Sequence, residues 1–236
     1  MVEAKDLTFS YIAGENILKD ISFTVEQGEI IGVLGENGVG KSTLLKLLCG
    51  ILTPRSGSIS IDGAPVQAHN GEIAFISEAG SFLKELTPMA YGRFLQDFYP
   101  SFDMAYYERL LRFFKLEEKP IKRMSKGQKA KAEVAAGMAK RTPYIVMDEP
   151  FVGKDIFTRQ DFMQALAGSL TGEETIWITT HEIAEIESFI DRAWILKDGG
   201  IAADISMDEL HQSGRSLVDL MKEVTGYREG EFARGL

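Results

Sequence analysis

Hydrophobic and polar positions along this chain follow a period of two near its start and a helical period in the middle, with short apolar runs returning after it. Leu7, Phe9 and Tyr11 alternate with small polar residues, and so do Ile21, Phe23 and Val25, the pattern of half-buried strands. Glu26-Gln27-Gly28-Glu29 reads as a turn into Ile30, Ile31, Val33 and Leu34, a run suited to a strand buried on both faces. Lys41 to Cys49 (KSTLLKLLC) reads as a helix, with Gly50 as its C-terminal cap. A second turn, Thr53 to Gly57, leads into a strand at Ser58–Ile61 and the turn Asp62-Gly63, and Ile73–Ile76 is a short apolar strand. From about Ala79 to Lys140 the spacing becomes helical: Tyr107, Leu110, Leu111 and Phe114 share one face, and Lys129 to Lys140 is rich in helix formers. Strands return at Tyr144–Met147, Thr175–Thr179 and Ala193–Lys197. Ser206-Met207-Asp208-Glu209 has the form of a capping box, and a helix near Leu217–Val224 ends at Gly226. The pattern predicts a single α/β domain over residues 1–236. Its sheet core spans 1–78 and 141–205, a helical subdomain is inserted at 79–140, and a helical tail covers 206–236.

Size and composition agree with that reading. The chain has 236 residues, 44% of them hydrophobic, enough to bury one large core. Runs such as Ile30–Leu34, Ile145–Met147 and Ala193–Leu196 are far too short to cross a bilayer, and the N-terminus MVEAKDLTFS lacks the form of a secretory signal. The single cysteine, Cys49, cannot form an internal disulfide and falls in the apolar pattern of its helix, so it reads as a small core residue. These features point to a cytoplasmic protein. The net charge of −9 gives no whole-protein attraction to nucleic acid. The basic stretch Lys115, Lys119, Lys122, Arg123, Lys126, Lys129 and Lys131 reads as a solvated face rather than a polyanion site.

The candidate chemistry lies where strand meets helix. Gly35-Glu36-Asn37-Gly38-Val39-Gly40-Lys41-Ser42 fits G-x-x-x-x-G-K-[ST], between the strand at Ile30 and the helix at Lys41. Glycines let backbone N–H groups face an anion, and the helix N-terminus adds its partial positive charge. Lys41 supplies a charge for the β- and γ-phosphates, and the Ser42 hydroxyl can ligate Mg²⁺. Tyr144 to Glu149 (YIVMDE) is a second strand, ending in two acids. Asp148 is positioned to hold the metal and Glu149 to polarise an attacking water.

With Met124-Ser125-Lys126-Gly127-Gln128 added, the chain resembles the ATP-binding subunit of an ABC transporter from Val2 to about Ile205. The family's signature loop, L-S-G-G-Q in its usual form, also stands about twenty residues before the acidic strand. The resemblance implies a P-loop NTPase core with a mixed, mainly parallel sheet, an N-terminal antiparallel β subdomain and an inserted α-helical subdomain. ATP and Mg²⁺ are its cofactors. Gly35, Glu36, Asn37, Gly38, Val39, Gly40, Lys41, Ser42 and Thr43 form the phosphate cradle, and Tyr11 stacks on adenine. Ser42, Asp148 and Glu78 are the metal-side residues, and Glu149, His181 and Lys41 carry catalysis. Ser125, Gly127 and Gln128 close over ATP held by a second domain, so two ATPase domains, identical or different, are needed. Asp155 matches the loop that communicates across that dimer.

Further partners follow from the resemblance. An integral membrane subunit on a separate chain is implied, which places this chain at the inner face of the cell membrane. A groove near Phe82–Tyr99, in an insert holding ten of the twenty-one Phe and Tyr residues, would receive a short helix of that subunit. The short insert, the Ser-Lys-Gly-Gln loop and the stretch near Gly226 resemble the export-type group. Three positions depart from the family pattern: Glu78 where glutamine is usual, Lys126 for the first signature glycine, and Phe151-Val152-Gly153-Lys154-Asp155 where T-S-G-L-D is common. Two other readings share the phosphate loop: an ABC-type ATPase acting on DNA, the ribosome or cluster assembly, and a small-molecule kinase. Neither a long coiled-coil insert nor a second cassette supports the first. The second gives Met124–Gln128 and His181 no evident task.

Overall fold

Turn chemistry and alternation divide the strands into two sheets. The computed structural model describes residues 1–77, 83–150, 156–168 and 170–226. The smaller sheet is antiparallel, in the order β2-β1-β4-β5, from β1 (Val2–Phe9), β2 (Leu18–Val25), β4 (Ser56–Ile61) and β5 (Ala64–Pro65). The larger has six strands in the order β10-β9-β3-β8-β7-β6. Its members are β3 (Ile30–Gly35), β6 (Ile73–Ser77), β7 (Tyr144–Asp148), β8 (Thr175–Thr179), β9 (Arg192–Lys197) and β10 (Gly200–Ser206). Only the β9–β10 hairpin is antiparallel; the other four pairings are parallel.

The parallel register sets the site. Ser77 lies opposite Asp148, Asp148 opposite Thr179, and Thr179 opposite Val33, two residues before Gly35. The carboxyl ends of β6, β7, β8 and β3 therefore form one ledge, the place where open parallel sheets bind ligands.

Successive residues of the parallel strands point to opposite faces, and both faces are covered. On one side Ile31, Val33 and Trp177 join helix α1 (Lys41–Leu48) and the antiparallel sheet in an apolar layer. On the other side Leu34, Ile176 and Ile178 pack toward the helices. These are α2 (Pro88–Gln96), α3 (Met104–Phe113) and α4 (Lys126–Ala139), with α5 (Ile156–Ala167), α6 (Ile183–Ile186), α7 (Met207–Gln212) and α8 (Leu217–Thr225). The expected helical insert is present, and its apolar core runs without a break into the sheet, from Tyr107 and Ile121 through Val134 to Ile76 and Met147.

Two glycines account for the closeness of that packing. A methyl group at Gly137 of α4 would lie 2.3 Å from Ile76 Cγ1 of β6, and one at Gly92 of α2 would lie 2.4 Å from the Tyr107 ring of α3. Tyr107 is fully buried, and its hydroxyl donates to Pro88 O at 2.9 Å. Cys49 lies beneath the antiparallel sheet, and burial pushes its thiol up to about 12.

Four features depart from the sequence pattern. The first strand stops at Phe9, because Ile17 N donates to Phe9 O and closes residues 10–16, Tyr11 among them, into a loop. Val66–Glu72 forms a 3-10 stretch. β10 follows the tight turn Asp198-Gly199, where both residues have positive φ. α5 fills the connection between β7 and β8.

Candidate functional site

The loop from Gly35 to Gly40 turns on three positive φ values, 147° at Gly35, 81° at Gly38 and 114° at Gly40. A side chain at Gly35 would meet Leu196 O at 2.6 Å, and one at Gly40 would meet Leu18 Cδ2 at 2.7 Å. Gly38 has open space beside it, so its requirement is the backbone conformation alone. Gly40 is the N-cap of α1 and contributes no side-chain cap, which leaves the first N–H groups of the helix to an external acceptor. Lys41 is 7% exposed, and its ammonium donates to Gly35 O at 2.8 Å and Glu36 O at 3.1 Å. Burial lowers its pKa, while Glu149 and Asp148 act to raise it. Asn37 and Gly38 also edge an open cleft of about 430 Å³ that reaches the Asp198-Gly199 turn.

The acids stand directly across from the loop. Ser42 Oγ donates to Asp148 Oδ1 at 2.9 Å. Thr179 Oγ1 reaches the same oxygen at 2.9 Å and accepts from Glu149 N at 2.9 Å. Glu149 has φ of 50°, a left-handed conformation that is costly for a residue with a side chain. Its Oε1 lies 3.0 Å from His181 Nε2, and its Oε2 is buried without a partner among the described residues. Burial raises the Glu149 pKa and Asp148 raises it further; His181 and Lys41 oppose the shift. The row Ser42, Asp148, Thr179, Glu149, His181 is thus one connected polar chain along the ledge. Thr179 was absent from the sequence-derived set. Its signal is a fully buried threonine directly after the apolar run Ile176–Ile178 and in register with Asp148.

These groups suit a magnesium nucleotide. A glycine-rich backbone cradle, a helix N-terminus and Lys41 meet at one anion site, and Ser42 with Asp148 offers hard oxygen donors beside it. Among the described residues, Glu149 Oε2 is a buried acceptor with no partner, one more oxygen left to bond.

Tyr11 is 52% exposed, so it is not a core tyrosine. It stands edge-on to Phe9 at 4.9 Å, with its hydroxyl 3.4 Å from Thr43 Oγ1. The signature residues are elsewhere, at the head of α4. Ser125 Oγ accepts from Gln128 N at 3.2 Å and Gln128 Oε1 accepts from Ser125 N at 3.1 Å, a reciprocal cap, and a methyl group at Gly127 would meet nothing within 4 Å. Glu78, Phe82 and Phe151 to Asp155 lie outside the described residues. The basic stretch is a solvated face: Lys119 pairs with Glu117, Lys122 with Glu85, and Lys131 lies over Phe114.

Away from the ledge, the helical layer opens an apolar cleft of about 450 Å³ between Asn70-Gly71 and α2, walled by Phe94, Phe98 and Tyr99. Phe98 is 63% exposed, whereas Tyr91 is buried. The aromatic residues of the insert are therefore divided between its core and this open wall. No helix among the described residues is long and apolar enough to cross a membrane.

The family model described as ABC transporter matches residues 18–152. The ABC transporter ATP-binding protein YtrB of Bacillus subtilis (strain 168) is 33% identical over 217 residues, covering 90% of this chain and 74% of the relative. The Nod factor export ATP-binding protein I of Neorhizobium galegae is 30% identical, covering 80% and 58%. Among solved structures, an ATP-binding subunit of an ABC transporter superposes with a TM-score of 0.84 at 30% identity, covering 95% of this chain and 99% of that one. A dimeric ATP-binding cassette in a post-hydrolysis state bound to ADP and Pi has the same fold, with a TM-score of 0.79 at 24% identity, covering 88% and 99%. The chain belongs to the ABC transporter family, as an ATP-binding subunit that hydrolyses ATP.

Proposed function

We propose that the chain powers a membrane exporter as one of two ATPase domains that close around shared ATP. The observation that carries this reading is the connected row Ser42, Asp148, Thr179, Glu149 and His181 opposite the Lys41 loop. A Mg²⁺ ion held by Ser42 and Asp148 would supply positive charge to phosphoryl oxygens. Gly35 to Thr43 hold the phosphates, and Tyr11 offers a free ring face to the base. Glu149 takes a proton from water as its oxygen attacks the γ-phosphorus, and the bond to the leaving ADP oxygen breaks. Lys41 and His181 stabilise the charge spread over the transferred group. Glu78 would add a metal-side carboxylate at the end of β6.

Ser125 and Gln128 cap each other, and with Gly127 they stand at a helix N-terminus, a ready anion site. This supports their service to a triphosphate on the opposite domain. The dimeric cassette with ADP and Pi supports the same arrangement, and the Nod factor export relative supports export. The aromatic cleft supports docking of a membrane subunit on a separate chain, which would hold this one at the inner membrane face. The subdomain limits at 79–140 and 206–236 belong to this proposal.

Sedimentation tests the shared pocket. Glu149→Gln protein should convert from monomer to dimer on addition of ATP and Mg²⁺, and Glu149→Gln with Ser125→Arg should not. A double variant that dimerises as readily, or full turnover by isolated monomers, refutes the reading.

A further inference from the structure

Strand β8 is apolar through Ile176, Trp177 and Ile178, and Thr179 after them is fully buried. Valine has the same branched shape, so packing alone does not call for a hydroxyl there. Three other buried threonines bond backbone groups: Thr142 to Tyr144 O at 3.0 Å, Thr175 to Gly28 N at 3.1 Å and Thr180 to Glu182 N at 3.0 Å. Thr179 Oγ1 also meets a carboxylate. It stands 2.9 Å from Glu149 N and 2.9 Å from Asp148 Oδ1. A backbone N–H can only donate, so Thr179 accepts from Glu149 and has its single proton left for Asp148. Met147 O, at 3.5 Å, is too distant to compete for that proton. One oxygen atom thus joins the acid on the metal side to the acid placed to take the proton. Ser42 donates to the same Asp148 oxygen, but Ser42 is itself a metal-side residue, whereas Thr179 stands outside that set. Two residues further on, His181 Nε2 lies 3.0 Å from Glu149 Oε1, so the end of β8 holds Glu149 at its amide and at its carboxylate.

We propose that Thr179 is a positioning residue for hydrolysis. Its hydroxyl sets the spacing of Asp148 and Glu149, so metal binding and proton removal both depend on it. This rests on the roles given to those two acids above and adds the group that keeps them in step. Without the hydroxyl, Ser42 is the remaining donor to Asp148 Oδ1 among the described residues, and the amide of Glu149 has lost the acceptor that meets it there. Small displacements of reacting groups cost rate steeply.

The experiment titrates a fluorescent, non-hydrolysable ATP analogue into the purified chain, first in chelator and then with Mn²⁺, and measures phosphate release from ATP beside it. Mn²⁺ should tighten binding to the parent. Thr179→Val should bind the metal-free analogue within about twofold of the parent, lose about fivefold or more of the tightening, and turn over about tenfold or more slowly. Thr179→Ser keeps the hydroxyl and drops the methyl group, and it should stay within a few-fold of the parent in both measurements. A threonine with only a structural role would lower the melting temperature of Thr179→Val and leave the tightening alone. Should the valine variant fail to fold, Thr179→Ala takes its place with the same losses expected. Parental tightening or parental turnover without the hydroxyl, or losses in Thr179→Ser as large as those of the variant that lacks it, overturn this inference and leave the roles of the acids standing. A parent whose nucleotide affinity does not respond to Mn²⁺ overturns the metal-side assignment of Ser42 and Asp148 as well.

Discussion

Glu149 combines a left-handed backbone, one carboxylate oxygen against His181 and another buried with no partner among the described residues. Each of these has a cost, and they persist because Thr179 and the end of β7 fix the residue from both sides. Replacing the carboxylate by an amide keeps the shape and removes the base. Glu149→Gln should lower kcat roughly a hundredfold or more while leaving ATP binding intact, as measured by phosphate release and by nucleotide titration. The raised pKa has a definite sign. A base must be ionised to act, so activity is present above its pKa and is lost as pH falls through it. Burial and Asp148 raise that pKa, His181 and Lys41 lower it, and the net shift is upward. The acid limb of kcat against pH should therefore lie above the ordinary carboxylate value of about 4.3, and Glu149→Gln should lack that limb. A limb at the ordinary value would remove Glu149 from the role.

At the scale of elements, the contact between α4 and β6 makes the sharpest prediction. Alanine favours a helix more than glycine by about 1 kcal/mol, yet Gly137→Ala would press a methyl group onto Ile76. The clash should win, with a net loss of about 1–3 kcal/mol in denaturant unfolding. Elements with strong local signals were legible in the chain: the strand before the phosphate loop, the helix after it, and the acidic strand β7. Others were not. β10 is an edge strand in which Ile201, Ala203 and Ile205 are only half-buried and Ala202 on the exposed face is itself apolar, so the alternation is blurred in the sequence, and its clearer signal was the Asp198-Gly199 turn. In α5 the readable trace is the buried pair Phe162 and Leu166, one turn apart. Tyr11 continues the alternation of Leu7 and Phe9, but the return of Ile17 to Phe9 ends the strand before it. Within the site, the loop and acids were legible because their types and spacing are local. Thr179 was not, because its meaning lies in register with a strand thirty-one residues earlier.

For the whole molecule, the separation of the Ser125 turn from the phosphate loop's own contacts gives a test that folding alone cannot mimic. A methyl group at Gly127 meets nothing within 4 Å among the described residues, and alanine suits a helix, so Gly127→Ala should melt no lower than the parent. If a second domain's triphosphate approaches that backbone, the same change should lower turnover by about tenfold or more, the loss expected when a close charge-assisted contact is spoiled. Unimpaired steady-state hydrolysis by Gly127→Ala would argue against that approach.

The near-contact of Gly137 with Ile76 also acts as a fulcrum. The backbone of α4 rests there directly on the close-packed Ile76 side chain, so a movement of α4 pivots about that point more readily than it slides across the sheet. Ser125 lies twelve residues along the helix from Gly137, roughly 18 Å at 1.5 Å per residue. A tilt of about ten degrees at the pivot therefore swings the Ser125 turn by about 3 Å, the length of one hydrogen bond.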